Sequence, residues 1–370
     1  MSITPIQPEA YPQLLADKVS DFASLFADLG LPAPKVHPSP AEHYRMRAEF
    51  RIWHDNDELY YAMFDPAQPK IPVRIDYFPT ASASICRLMP VLRQALQNNE
   101  HLRHRLFQIE FLSTLSGDMM VTLIYHRKLD DTWQAAAEGL AQDLNITIIG
   151  RSRKQKLVLS RDYVEECLPI AGREYHYRQY EGGFTQPNAH INCAMIEWAL
   201  AHLAGSESRD LVELYCGNGN FTAPLAGAFR RVLATEISKT SVKAARENFA
   251  LNHIDNVEIL RMSSEEFTAA LNGEREFRRL ENINLADYTL DTILVDPPRA
   301  GLDDATRALV ARFKRILYIS CNPHTLHRDL QQLHKTHHCE QLAMFDQFPY
   351  TEHLECGVLL TERDELCPSS

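Results

Sequence analysis

The chain has 370 residues, 45% hydrophobic, 24% charged and 9% aromatic, which suits two domains of ordinary size and excludes a disordered or fibrous protein. Its formal charge is −11, but residues 1–180 hold 20 Lys and Arg against 22 Asp and Glu, and the remainder 18 against 27. The acidic total therefore does not exclude a nucleic-acid partner for the nearly neutral first half. Leu14, Leu15, Val19, Phe22, Leu25 and Phe26 recur at helical spacing and stop at Gly30, predicting a helix over 7–29. Four prolines in 31–40 predict an extended connection. Strands are predicted at 45–54 and 58–64, turning at Asp55-Asn56-Asp57, and at 105–115 and 119–126, turning at Ser116-Gly117-Asp118. Helices at 82–98 and 132–144 and short strands near 145–150 and 156–160 complete an α+β half.

After about residue 185 strands and helices alternate. Strands are predicted at 210–215, 231–236, 256–261, 291–295 and 315–320, with two late ones near 340–347 and 356–361. Helices are predicted at 188–204, 221–228, 239–252, 263–280 and 323–335. The pattern implies an α/β, doubly wound, Rossmann-like parallel sheet that binds ligands at the carboxyl ends of its strands. With the boundary at Glu181-Gly182-Gly183, the expected domains are 1–182 and 183–370.

Cys86, Cys167, Cys193, Cys216, Cys321, Cys339, Cys356 and Cys367 show no C-x-x-C spacing, so neither a zinc site, an iron–sulfur cluster nor a disulfide framework is expected. They read as reduced thiols of a cytoplasmic protein. The start, MSITPIQPEAYPQLL, is no signal peptide, and no apolar run reaches membrane-spanning length.

Three strand ends carry chemistry. Asp210–Tyr215 runs into Cys216-Gly217-Asn218-Gly219-Asn220, a glycine turn opening a helix, and Glu236 follows Gly219 by 17 residues, the spacing of an acid that accepts ribose hydroxyls. Without a third glycine or a G-K-[ST], dinucleotides and nucleoside triphosphates are disfavoured. Asp296-Pro297-Pro298-Arg299 ends a second apolar strand; behind a G-x-G unit it points to an S-adenosylmethionine methyltransferase, and Arg299 stands where amino-methylating enzymes place an aromatic ring. Ser320-Cys321-Asn322-Pro323 ends the third, with Cys321 near a helix N-terminus that favours thiolate.

A thiol is needed because carbon 5 of a pyrimidine is a poor nucleophile until sulfur has added at carbon 6. A base must then remove the carbon-5 proton. Glu355 is the first choice; Glu352 and His353 are alternatives that spacing does not separate.

These residues bring a family into view. The chain resembles the tRNA (uracil-5-)-methyltransferases along essentially its full length. Phe184–Asn188, Glu213–Asn220, Asp296–Arg299, Ser320–Pro323 and His353–Gly357 match motifs of the wider RNA uracil-5 group, and His43–Trp53 and Arg105–Ile109 those of the tRNA branch. The resemblance implies methylation of carbon 5 of uridine 54 in the T loop of tRNA, and tmRNA as a further substrate. It implies S-adenosylmethionine contacts at Gln186, Tyr215, Asn220, Glu236 and Asp296, Cys321 as nucleophile and Glu355 as proton acceptor. The target base must be turned out of its stack, so the first half is expected to supply phosphate contacts and an aromatic surface. Candidates there are Arg45, Arg47, Arg51 and Phe107, with basic patches at 101–105 and 151–156. A monomer without metal or membrane attachment is expected. The alternatives are an rRNA uracil-5-methyltransferase, a non-catalytic RNA-binding or remodelling protein and, more remotely, a cytosine-5 enzyme.

Overall fold

Residues 6–65, 67–203, 205–281 and 283–363 are described by the computed structural model and fall into two units with interleaved segments. Cys367 lies outside the described residues; the other seven cysteines are free thiols. Residues 40–168 and 178–189 belong to the first unit, and 10–39, 169–177 and 190 onward to the second. The sequence reading expected a single boundary at 182, whereas these units interleave. The N-terminal helix, Tyr11–Leu25, buries Phe22 and, just beyond it, Phe26 in the core of the second unit. Within the proline-rich connection, Lys35–His37 forms a strand parallel to Ala343–Phe345. Three residues between prolines leave too short a pattern for a strand to be read from sequence.

In the first unit, seven strands run in the order Gln68–Arg74, Glu58–Asp65, Arg47–Asp55, Leu106–Ser113, Met119–Tyr125, Thr147–Ser152 and Gln155–Val158. Ala48, Phe50 and Ile52 alternate inward, where they share a core with Met89 and Leu92 of helix Ala83–Gln97 and Trp133 of helix Asp131–Leu144. The opposite face of the same strand bears Arg47, Glu49 and Arg51. Three strands, Gln68–Arg74 and the paired Tyr163–Ile170 and Arg173–Tyr180, and the short helix Glu100–Arg103 were not anticipated.

The second unit is an eight-stranded sheet in the order Lys35–His37, His337–Phe345, Glu355–Glu362, Arg315–Ser320, Leu290–Val295, Asp210–Leu214, Arg231–Thr235 and Val257–Leu260. Only Glu355–Glu362 runs antiparallel to its neighbours. The five residues of Asp210–Leu214 are all buried, as a parallel strand covered on both faces requires. Helix Ser264–Leu271 is shorter than predicted, and helix Asp304–Val310 was not foreseen. The chain order reverses beside Asp210–Leu214, which is the switch point where such sheets bind ligands.

Candidate active site

Register aligns the candidate residues along one edge of the sheet. Thr235 and Val295 both pair with Leu214, and Val295 pairs with Tyr318, so Glu236, Tyr215, Asp296 and Cys321 leave successive strands at the same end. The antiparallel Glu355 strand enters there: Ser320 pairs with Cys356, so Glu355 occupies the next position opposite Cys321. Neighbouring strands are about 4.8 Å apart, close enough for side chains on adjacent positions to meet.

The glycine turn is shaped for close approach. Gly217 and Gly219 have φ of 57° and 82°, and a Cβ on Gly219 would lie 2.6 Å from the Phe249 ring. Tyr215 shares the left-handed conformation at φ 62°, and its hydroxyl donates to Ser264 Oγ at 2.8 Å. Glu236 accepts from the Gly217 N–H at 3.0 Å and the Ser238 N–H at 2.7 Å, which holds its carboxylate against the turn. Beside it Ile237 is 69% exposed, an apolar surface the sequence did not single out. Asn220 is engaged otherwise: its amide and that of Asn192 exchange two hydrogen bonds of 2.8 Å.

Asp296 keeps some contact with solvent, yet the protein crowds it enough that desolvation raises its pKa to about 7. Glu213, one strand over, is buried with one oxygen lacking a hydrogen bond, and burial with the Asp296 charge raises its pKa to about 8. Sequence reading gave Glu213 no role, because an acid inside an apolar strand announces neither its depth nor its neighbour.

The Cys321 thiol is half-buried, and its pKa is raised to about 11 by burial, then by Glu355 and Asp296. The expected thiolate is thus corrected. Helix Pro323–Leu333 does begin beside it, capped by Asn322, but two acids and poor hydration outweigh the helix end. Glu355 is buried and its pKa is raised by burial and by Asp296. Glu352 and His353 are exposed, and His353 Nδ1 stands 3.4 Å from Arg299 Nη2. The segment after Asp296 is anchored from beneath: the buried Asp329 carboxylate accepts from the Leu302 N–H at 2.9 Å and the Tyr318 hydroxyl at 2.7 Å.

The first unit offers a separate surface. Arg51 lies 3.9 Å above the Phe107 ring, and Phe107 stacks on His126 at 3.8 Å, a partner the sequence reading missed. Arg47 Nη2 donates to the Gly183 carbonyl at 3.0 Å. Arg45 is largely drawn inward, and burial lowers its pKa. Of the 151–156 patch, Arg151 is paired through two bonds with Glu181, and Lys156 with Asp162 and Glu181, leaving Arg153 and Lys154 exposed. Gln186 belongs to this unit, next to Pro187, whose carbonyl accepts from the Met46 N–H. Among the described residues no helix is long and apolar enough to cross a membrane.

Known proteins resemble this chain along nearly its whole length. Residues 10–363 match the family model described as tRNA (Uracil-5-)-methyltransferase. The chain is 56% identical over 360 residues to the tRNA/tmRNA (uracil-C(5))-methyltransferase of Dickeya chrysanthemi (strain Ech1591), covering 96% of this chain and 98% of that one. It is 55% identical over 363 residues to the protein of the same name from Dechloromonas aromatica (strain RCB), covering 98% and 100%. The crystal structure of Pyrococcus abyssi tRNA (uracil-54, C5)-methyltransferase in complex with S-adenosyl-L-homocysteine shares the fold, with a TM-score of 0.72 at 20% identity, covering 95% of this chain and 83% of that one. The chain belongs to the tRNA (uracil-5-)-methyltransferase family.

Proposed function

We propose that the protein methylates carbon 5 of uridine 54 in the T loop of tRNA, and the corresponding uridine of tmRNA, using S-adenosylmethionine. The observation that carries this reading is a thiol and a carboxyl on consecutive strand ends, Cys321 and Glu355, beside a nucleoside-type glycine turn.

The residues fit the cofactor. Backbone at positive φ in Gly217 and Gly219 leaves room for a ligand, Glu236 is an acceptor suited to ribose hydroxyls, and Ile237 offers an apolar surface to a base. Glu213 and Asp296, two crowded carboxyls with raised pKa values, gain from a cation beside them. Tyr215 and Gln186 are further proposed contacts. The Asn220 amide is held by Asn192, so we assign it contact through a rearrangement of that pair. When bound, S-adenosylmethionine supplies an electrophilic sulfonium methyl group.

The protein's own residues do the rest. The Cys321 thiol gives its proton to solvent, and its sulfur adds to carbon 6 of uracil, breaking the carbon-5–carbon-6 double bond and placing its electron pair on carbon 5 and the carbon-4 oxygen. Once carbon 5 is alkylated, Glu355 in its ionised form accepts the carbon-5 proton; the electron pair reforms the ring double bond and the Cys321–carbon-6 bond breaks. On the first unit, Phe107, stacked with His126, is proposed as a surface for unstacked bases, with Arg51, Arg47 and Arg45 proposed for the phosphate backbone. We propose action as a monomer.

The test is to incubate the protein with transfer RNA, tmRNA and rRNA fragments and locate methyl groups by mass spectrometry. A single C5-methylated T-loop uridine, with rRNA unlabelled, is expected; exclusive rRNA labelling would overturn the substrate assignment.

A further inference from the structure

The chain's N-terminal helix reaches the far end of the functional edge. Lys18 Nζ donates to Asp346 Oδ1 at 2.6 Å and to the Phe348 carbonyl at 2.8 Å, with the Lys18 side chain 12% exposed and that of Asp346 fully buried. Burial lowers the Lys18 pKa, and Asp346 opposes that shift. Tyr11 faces the same carboxylate, its hydroxyl accepts from the Ser39 N–H at 2.8 Å, and its ring lies 6.1 Å from that of Tyr350. The Asp346 N–H donates to the His37 carbonyl at 3.0 Å.

What this latch holds is the segment leading into Glu355. Phe345 pairs with Glu355 across the sheet, so Asp346 follows the residue beside the proposed base. The Phe348 carbonyl that receives Lys18 also accepts the Thr351 N–H at 3.1 Å and the Thr351 hydroxyl at 3.2 Å. Thr351 Oγ1 in turn accepts the His353 N–H at 3.2 Å. One ammonium therefore holds two points at the start of this segment, and the Phe348–Thr351–His353 bonds carry the constraint on toward Glu355. A buried ion pair contributes little net stability against an apolar pair of the same shape, but it fixes one geometry.

We propose that Lys18 is a positioning residue for Glu355: through Asp346 and the Phe348 carbonyl it sets the turn that aims the carboxyl at the carbon-5 proton. The inference rests on the assignment of Cys321 and Glu355 above. It separates two steps, because Cys321 leaves a different strand and needs no help from Lys18 to add to the ring.

The experiment uses the full chain with tRNA. Wild type, Lys18→Met, Lys18→Arg and Asp346→Asn are compared for trapping by 5-fluorouridine tRNA, for S-adenosylmethionine affinity, and for breakdown of the covalent adduct formed with ordinary tRNA. Lys18→Met is expected to slow adduct breakdown by about tenfold, so that a denaturation-resistant protein–RNA band accumulates, with trapping and cofactor affinity unchanged. Lys18→Arg should restore most of the rate, and Asp346→Asn should slow it by a smaller factor. If Lys18→Met does not fold, Asp346→Asn and Lys18→Arg decide the matter. Wild-type breakdown in Lys18→Met, or in Asp346→Asn where Lys18→Met does not fold, or trapping and breakdown falling together, would overturn the inference. Failure of wild type itself to be trapped would instead overturn the catalytic reading beneath it.

Discussion

Cys321 and Glu355 face each other on the position after the last pair, Ser320 with Cys356, of an antiparallel ladder. One strand ends and the other begins at that point, so the proposed nucleophile and the proposed base arrive from opposite chain directions without a long loop. If the two act in sequence, they fail differently. Cys321→Ala should abolish methyl transfer while cofactor affinity stays within about twofold, by titration calorimetry. Glu355→Gln should allow transfer but leave protein joined to methylated RNA, visible on a denaturing gel. Methyl transfer by Cys321→Ala at near-normal rate would exclude covalent catalysis.

The raised thiol makes a second expectation. With a pKa of about 11, only about one Cys321 in a thousand is ionised at pH 8, so alkylation of the cofactor-free protein should be slow there and rise about tenfold per pH unit up to pH 11. A neighbouring negative charge raises a thiol pKa, so removing it lowers the value. Glu355→Gln should accordingly speed alkylation at pH 10, followed by peptide mass spectrometry. An unchanged profile would mean that Glu355 does not press on the sulfur.

Asp296 links function to stability. Its folded pKa, about 7, lies above the ordinary value of 3.8, so the folded state binds the proton more tightly than the unfolded one. Its contribution is favourable below about pH 4 and is lost as pH rises through 7, a change of no more than about 4 kcal/mol. Asp296→Asn should therefore raise Tm at pH 8 more than at pH 4 and weaken S-adenosylmethionine binding about tenfold or more. An equal Tm gain at both pH values would contradict the assigned burial cost.

The glycine turn is tested by Gly219→Ala. The new Cβ would press on Phe249 in a backbone conformation that L side chains resist, at a cost of about 1–3 kcal/mol. Chemical denaturation should report that loss, and cofactor affinity should fall with it. Retained stability would show that the turn relaxes.

For the RNA surface, Arg51→Ala and Phe107→Ala should both weaken tRNA binding, but differently. Loss of a phosphate-facing cation lowers the salt slope by about 1, whereas loss of a stacking ring leaves it unchanged. Filter binding across salt concentrations distinguishes the two, and identical slopes for both variants would deny Arg51 a phosphate contact.

The sequence made the chemistry legible where it is written in consecutive residues. Apolar strands ending in Cys216–Asn220, Asp296–Arg299 and Ser320–Pro323 show both their elements and their candidate ligand-binding ends, because parallel strands buried on both faces read as continuous apolar runs. Properties arising between distant segments were not legible. The Cys321 pKa depends on Asp296 and Glu355, which helix-end reasoning ignores. Arg151 and Lys156 look like an open basic patch until Glu181 is folded beside them. Lys18 meets Asp346 across 328 positions of sequence, and the strand Lys35–His37 exists only because an edge at Ala343–Phe345 accepts it. Each shortfall is tertiary contact overriding a local pattern.

The most direct measurement is peptide mapping after reaction with S-adenosylmethionine and tRNA carrying 5-fluorouridine at position 54. Fluorine cannot depart as a proton does, so the ring should stay bonded to the peptide containing Cys321, one nucleotide per protein chain. Methyl transfer to ordinary tRNA with no adduct formed on the fluorinated one, or an adduct on any other residue, would contradict the account.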